Sequence, residues 1–218
     1  QLESPELSKV MAQFSSVVVG PGLGLRPEGR SLLERALSEV RLPMVLDADA
    51  LNLVAEHRLF DHLRNRRAPT VLTPHPGEMS RLLGISKEEI LAQPLDAVAR
   101  AVDLTHAVVI LKGAATLISS PKGPCYLNHY PNDGMATGGS GDVLSGIIGG
   151  LLGQGMDAFD AARLGVYVHS LSGGLAAEKL GHRSMTAHDI IVNLGAAFSD
   201  LMAHRSKWSG TLESPHLL

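Results

Sequence analysis

Apolar residues along the chain alternate between short unbroken runs and stretches spaced at three and four residues, which predicts strands and helices in turn. Ser16-Val17-Val18-Val19 is a β-branched run closed by Gly20-Pro21-Gly22-Leu23-Gly24, a buried strand ending in a tight loop. Helical spacing follows over residues 27–40, with Leu32, Leu33, Ala36, Leu37 and Val40 apolar and Pro27 suited to an early helical position. Pro43-Met44-Val45-Leu46 predicts a second strand, leading into Asp47-Ala48-Asp49-Ala50 and a short helix over residues 51–56. Val71-Leu72 predicts a third strand, which opens into Thr73-Pro74-His75-Pro76-Gly77-Glu78. Helical stretches over residues 78–83 and 95–105 precede Ala107-Val108-Val109-Ile110-Leu111, the strongest strand, which ends in Lys112-Gly113.

Beyond that point the alternation changes. Thr116-Leu117-Ile118 and Cys125-Tyr126-Leu127 read as antiparallel strands joined by a turn around Pro121-Lys122-Gly123. A polar, glycine-rich loop over residues 128–141 is followed by helices over 142–152, 158–180 and 187–202, and by an aperiodic, loose tail over 207–218. All-apolar strands alternating with helices imply an α/β fold, a mostly parallel sheet covered by helices on both faces. The loops that follow such strands gather at one edge of the sheet, where these folds bind ligands. At about 150 residues per domain, residues 1–206 read as one domain.

Composition narrows the functional classes. Over 218 residues, 19 Lys plus Arg against 22 Asp plus Glu give a net charge of −3, which disfavours nucleic acid or an anionic membrane as partner. Aromatic residues are only 4%, too few for base-stacking platforms. A single cysteine, Cys125, excludes an internal disulfide and any Cys-based zinc cluster, and suits a reducing, cytoplasmic compartment. The longest apolar stretch, residues 143–153, is about half of what a bilayer requires. Of the 23 glycines, 12 gather at 20–24 and 134–155 and others take single loop positions, as tight turns and points of close backbone approach do.

The most informative segment is Asn132-Asp133-Gly134-Met135-Ala136-Thr137-Gly138-Gly139-Ser140-Gly141-Asp142-Val143-Leu144-Ser145-Gly146, glycines and hydroxyls running straight into a helix. The free N–H groups of a first helical turn make an anion site, and glycines at 138, 139 and 141 let backbone N–H groups converge on phosphate. Asp142 is either a helix cap or, more pointedly, a general base beside a held phosphoryl group. No Lys-Ser or Lys-Thr follows the glycines, so the loop is not a Walker A motif. Gly20-x-Gly22-x-Gly24 is not a dinucleotide fingerprint either. Asp47 and Asp49 suit a substrate or magnesium role, or equally bond the backbone turn and cap the next helix. Lys112 either reaches solvent or serves the site, and Glu78 either complements a helix dipole or meets a ligand. The Gly146-x-x-x-Gly150 spacing is read as close helix packing in the core, and the nine histidines other than His75 as surface or core residues.

At Gly138–Asp142 the chain resembles the ribokinase-like superfamily. Within it, the chain is similar to the ADP-dependent NAD(P)H-hydrate dehydratases through five ordered motifs. These are Val19-Gly20-Pro21-Gly22-Leu23-Gly24, Leu46-Asp47-Ala48-Asp49-Ala50-Leu51-Asn52, Thr73-Pro74-His75-Pro76-Gly77-Glu78, Leu111-Lys112-Gly113 and the Met135–Gly146 segment. The resemblance implies phosphorylation of the ring hydroxyl of hydrated NADH or NADPH by ADP or ATP, with magnesium, followed by elimination of phosphate. It implies Asp142 as the base, and Gly138, Gly139, Ser140 and Gly141 around the donor phosphates. It further implies Lys112, Gly113, Ala114, Ala115 and Thr116 along the nucleotide, and Gly22, His75 and Asp142 at the hydrated cofactor, with Glu78 and Arg81 close by. It assigns no metal ligands, and it suggests a homotetramer.

Two alternatives remain: an alcohol kinase of the same superfamily, or a nucleotide-binding module without catalysis. Hydroxyethylthiazole kinases carry Cys where this chain has Asp142, and an intact Asp142 argues against a decayed site. Family members also carry a strand–helix segment ahead of the Val17 strand, and some an epimerase domain. Only 16 residues precede Val17 here and Gln1 is not a start methionine, so the chain reads as a fragment with an exposed sheet edge.

Overall fold

The computed structural model describes residues 9–121 and 123–204. One six-stranded sheet runs in chain order: β1 (Val17–Val19), β2 (Met44–Leu46), β3 (Thr70–Leu72), β4 (Val108–Leu111), β5 (Ala115–Ser119) and β6 (Tyr126–His129). β1 to β4 are parallel, with Val19 beside Leu46, Leu46 beside Leu72 and Leu72 beside Val109. β5 and β6 are antiparallel additions. At the other margin β1 pairs only with β2 among the described residues.

Six helices connect the parallel strands: α1 (Pro27–Glu39), α2 (Ala48–Glu56), α3 (Phe60–Arg64), α4 (Pro76–Leu83), α5 (Lys87–Ala92) and α6 (Pro94–Thr105). After a 3-10 turn over Asp133–Met135 come α7 (Ser140–Gly153), α8 (Ala158–Leu180) and α9 (Ala187–Ala203). Because β1 to β4 lie in chain order, each right-handed crossover sets its helices on the same face. Met44, Leu46 and Leu72 therefore pack with Leu33, Leu37, Leu51 and Leu63 of α1 to α3. Val109, Leu111 and Leu117 meet Met79, Ile90 and Val98 of α4 to α6. The opposite face, carrying Val45, Val71 and Ile110, is covered by Leu144 and Ile148 of α7 and Ala162 and Val166 of α8. Among the described residues no helix is long and apolar enough to cross a membrane.

Several boundaries differ from the sequence reading. Each of three helices begins earlier than its apolar spacing suggests: α2 at Ala48 and α4 at Pro76, where the side chains of Asp47 and His75 cap a polar first turn, and α7 at Ser140, which follows Gly139 in the left-handed region. Two short helices, α3 and α5, fall in stretches without predicted structure. α5 buries only Ile90 and is started by Ser86, whose Oγ accepts from Glu89 N at 3.1 Å. Part of the predicted 128–141 loop is ordered as the end of β6 and the 3-10 turn. The loose tail predicted for 207–218 and Lys122 of the predicted turn lie outside the described residues.

The Gly146-x-x-x-Gly150 spacing is corrected. Both glycines are exposed and face open space. The close approaches are made instead by Gly149, where a Cβ would meet Val18 Cγ2 at 2.6 Å, and by Gly165, where it would meet Ile148 Cγ1 at 2.7 Å. The sheet takes the side of α7 that bears Leu144, Ser145, Ile148 and Gly149, and Gly146 and Gly150 fall towards its solvent margin. Gly149→Ala is therefore expected to destabilise by about 1–3 kcal/mol, since Val18 is stiff at χ1. Gly146→Ala is expected to be neutral or to stabilise by up to about 1 kcal/mol. Urea midpoints at an unchanged slope give both values; equal effects would contradict this packing.

Candidate active site

The parallel strands deliver their carboxyl ends to one edge, and the loops there continue the ladder. Asp47 N donates to Val19 O at 3.1 Å, Thr73 N to Leu46 O at 3.1 Å, and Lys112 N to Pro74 O at 2.9 Å. This alignment brings Asp47, His75 and Lys112 side by side. Asp47 is 1% exposed. Its Oδ1 accepts from Lys112 Nζ at 2.7 Å and from Ala48 N at 2.9 Å, and its Oδ2 from Ser145 Oγ at 2.6 Å. A carboxylate so deeply buried has to be paired in this way. The neighbouring Asp49 accepts from Gly24 N at 2.9 Å and so anchors the 20–24 loop. Between the alternatives open from sequence, both acids are engaged by backbone, and Asp47 by two side chains as well. Gly20 sits at φ +135°, and a Cβ there would stand 1.8 Å from Asp47 O, so only glycine fits.

His75 begins α4 as its N-cap. Its Nδ1 accepts from Gly77 N at 3.0 Å and Glu78 N at 3.2 Å, while Glu78 Oε2 accepts from His75 N at 2.8 Å, a capping box with imidazole in the usual hydroxyl position. Burial and then the nearby Lys112 charge hold His75 below its ordinary pKa, in keeping with an unprotonated Nδ1. Burial pushes Glu78 up, against the opposing pull of Lys112, whose Nζ lies 3.9 Å from Oε2. Arg81 Nε donates to Asn52 Oδ1 at 2.8 Å, tying α4 to α2.

The glycine-rich loop enters α7 through Gly139 at φ +87°. No side chain among the described residues caps this helix, which leaves first-turn N–H groups for a ligand. Ser140 is buried beneath the loop, and His169 Nε2 lies 2.9 Å from Ser140 O and 3.3 Å from Ser140 Oγ. Desolvation lowers His169 to a pKa of about 4.

A cleft of about 860 Å³ opens between this helix end and the β4–β5 connection. Of the residues named from sequence, it is lined by His75, Lys112, Gly113, Ala114, Thr116, Ser140 and Gly141. Gly22, Glu78, Arg81, Ala115, Gly138, Gly139 and Asp142 lie outside that lining. Glu78 is buried below His75, whereas Asp142 stands exposed on the first turn of α7 with no hydrogen bond or ion pair to the described residues. The lining adds Asn132 and Met135 of the glycine-rich segment, and Tyr130, Ser170, His169 and His182, which were not singled out from sequence. The last two are a core and a surface histidine, as read from sequence, that also border the cleft: His169 is buried on α8, and His182 Nδ1 meets Asp133 Oδ1 at 2.5 Å. Only tertiary packing brings α8 across the glycine loop, so local spacing carried no signal for them.

Comparison with known proteins agrees with this architecture. Residues 3–195 match the family model described as NAD(P)H-hydrate dehydratase. A bifunctional NAD(P)H-hydrate repair enzyme of Thermofilum pendens is 45% identical over 208 residues, 95% of this chain and 38% of that protein. The ADP-dependent (S)-NAD(P)H-hydrate dehydratase of Neisseria meningitidis is 41% identical over 165 residues, 75% of this chain and 56% of that protein. The chain thus spans well under two thirds of the length of either relative. A crystal structure of the ADP/ATP-dependent NAD(P)H-hydrate dehydratase from Bacillus subtilis, co-crystallised with ATP and Mg2+, superposes with a TM-score of 0.75 at 28% identity, covering 88% of this chain and 69% of that one. The ribokinase-like fold expected from sequence is the fold observed.

The buried His169 makes a pH dependence. Its folded pKa of about 4 lies below the ordinary 6.5, so the unfolded chain takes up a proton that the native ring refuses. Stability is expected to be full above pH 6.5 and to fall towards pH 4, by about 3 kcal/mol from this group. His169→Gln keeps a donor for Ser140 O and should remove this part of the acid limb. Urea unfolding at pH 7 and pH 4.5 measures it; an unchanged difference in the variant would place the titration elsewhere.

Proposed function

The chain belongs to the NAD(P)H-hydrate dehydratase family, and on that premise we propose that it catalyses the ADP- or ATP-dependent dehydration of the S form of hydrated NADH or NADPH. The observation that carries the reading is the meeting of a cation and a helix N-terminus across the cleft. A Cβ on Gly141 would stand 3.3 Å from Lys112 Nζ, a tight contact that glycine avoids, which widens the gap between the ammonium and the first turn of α7. Phosphate oxygens are the ligand chemistry that such a gap suits.

In this reading the nucleotide lies along Lys112, Gly113, Ala114, Ala115 and Thr116, its terminal phosphates against Gly138, Gly139, Ser140 and Gly141. The hydrated ring meets Gly22, His75, Glu78 and Arg81. Asp142, exposed and unpaired in the described structure, takes the proton of the ring hydroxyl as its oxygen attacks the terminal phosphorus, and ADP leaves as AMP or ATP as ADP. Breaking the ring C–O bond then releases inorganic phosphate, and loss of a ring proton restores the double bond of NADH or NADPH. Neutral His75, with Nδ1 occupied by two backbone N–H groups, presents Nε2–H as a donor to the substrate.

Among the described residues no cluster of three His, Cys, Asp or Glu is placed to hold a metal. Magnesium carried on the nucleotide phosphates needs no such cage, so no residue is assigned to it. The unpaired thiol of Cys125 accords with a cytoplasmic setting. A homotetramer would find apolar surface at Ile191, Val192 and Met202 of α9, all exposed.

Absorbance at 340 nm, with hydrated NADH, magnesium and ADP or ATP, is expected to rise only when nucleotide is present. A stable phosphorylated alcohol, with no rise, would favour the kinase alternative. Asp142→Asn is expected to reduce turnover by at least about 100-fold while ADP affinity by calorimetry changes little. Retained turnover in that variant would refute the base assignment.

A further inference from the structure

Asp47 is almost wholly buried and is held by three hydrogen bonds, yet the reaction outlined above assigns it no step. It sits at the end of β2 with no access to solvent, yet its partners come from two other parts of the fold that face the cleft: Lys112 after β4 and Ser145 in α7. Ser145 is one turn beyond Gly141 on the same side of α7, and its Oγ also lies 3.1 Å from Gly141 O. A hydroxyl has one proton, and the 2.6 Å contact with Asp47 is the shorter. The carboxylate therefore holds the phosphate-binding turn and the phosphate-binding cation at once.

We propose that Asp47 is a positioning residue, whose buried carboxylate fixes the spacing between the Lys112 ammonium and the N-terminal turn of α7 for phosphoryl transfer. The inference rests on the dehydratase reading for its kinetic arm only. Two physical arguments support it. A buried ion pair adds little net stability, since desolvation offsets attraction, so its presence here is poorly explained by stability alone. The pair is also asymmetric: the Lys112 side chain is 20% exposed against 2% for Asp47, so the ammonium keeps donors turned to the cleft. One of its three protons is held by Asp47. Glu78 Oε2, at 3.9 Å, is too far to hold a second.

Charge and placement then pull in opposite directions, which makes the role testable. Asp47→Asn removes a negative charge beside the phosphates, so ground-state attraction for ADP rises. It also releases the ammonium from its anchor, so stabilisation specific to the transition state falls. The expected result is ADP binding tightened by about 3-fold or more in calorimetry, with turnover reduced by about 30-fold or more. A purely structural role predicts the reverse sign for binding, because a disordered site loses affinity and turnover together.

Ser145→Ala leaves the Lys112–Asp47 pair intact and covers the case in which the Asp47 variant fails to fold. It should hold ADP affinity within about twofold while turnover falls about 10-fold. Weakened ADP binding in Asp47→Asn, or full turnover in Ser145→Ala, would overturn the proposal. If the wild-type chain binds ADP but does not turn over hydrated NADH, the dehydratase reading fails by itself, and the sign of the affinity change in Asp47→Asn still decides the role of Asp47.

Discussion

The depth at which α7 sits on the sheet governs the rest of the molecule. Gly149 lets the helix backbone come down onto Val18, and Ser16 Oγ donates to Gly149 O at 2.7 Å, pinning the far end of the helix beside β1. At the near end Ser145 is held by Asp47. Between these two ties the helix cannot slide by a turn, about 5.4 Å, without breaking both. Gly165 then allows α8 to close over Ile148, and α8 brings His169 under the glycine loop. A larger side chain at Gly149 would lift the helix N-terminus away from the carboxyl edge that brings His75 and Lys112 to the cleft.

That edge concentrates the cost of the fold. Asp47, Glu78 and His169 are all nearly inaccessible to water, and each is answered by a specific partner rather than by solvent. Glu78 supports the backbone of His75, His75 supports the first turn of α4, and Asp49 supports the 20–24 loop. The side chains that line the cleft thus rest on a second set that does not reach it. Preorganisation of this kind keeps donors in place before a ligand arrives, which is where electrostatic catalysis draws most of its advantage.

Much of this was legible in the residues. β-branched runs such as Val17–Val19 and 107–111 announced strands, and the glycines before Asp142 announced the loop that enters the helix bordering the cleft. The short α3 and α5 escaped because five or six residues give too little periodicity to register. The Gly146–Gly150 spacing misled because a repeat of four says that two residues share a face but not which face meets the sheet. For Asp47 and Asp49 the choice between ligand and backbone depended on Gly24, Lys112 and Ser145, up to 98 residues away in sequence. No local pattern encodes such separations. His169 was invisible for the same reason.

The capping of α4 by an imidazole has a consequence of its own. A serine or aspartate cap holds its two amides at any ordinary pH, but His75 can do so only while Nδ1 keeps its lone pair. To accept a proton there, the ring would have to release Gly77 N and Glu78 N together and fray the helix start. The scaffold therefore withholds this ring from service as a base at Nδ1, and the opposite nitrogen, 3.5 Å from Glu78 Oε1, is the one left to donate.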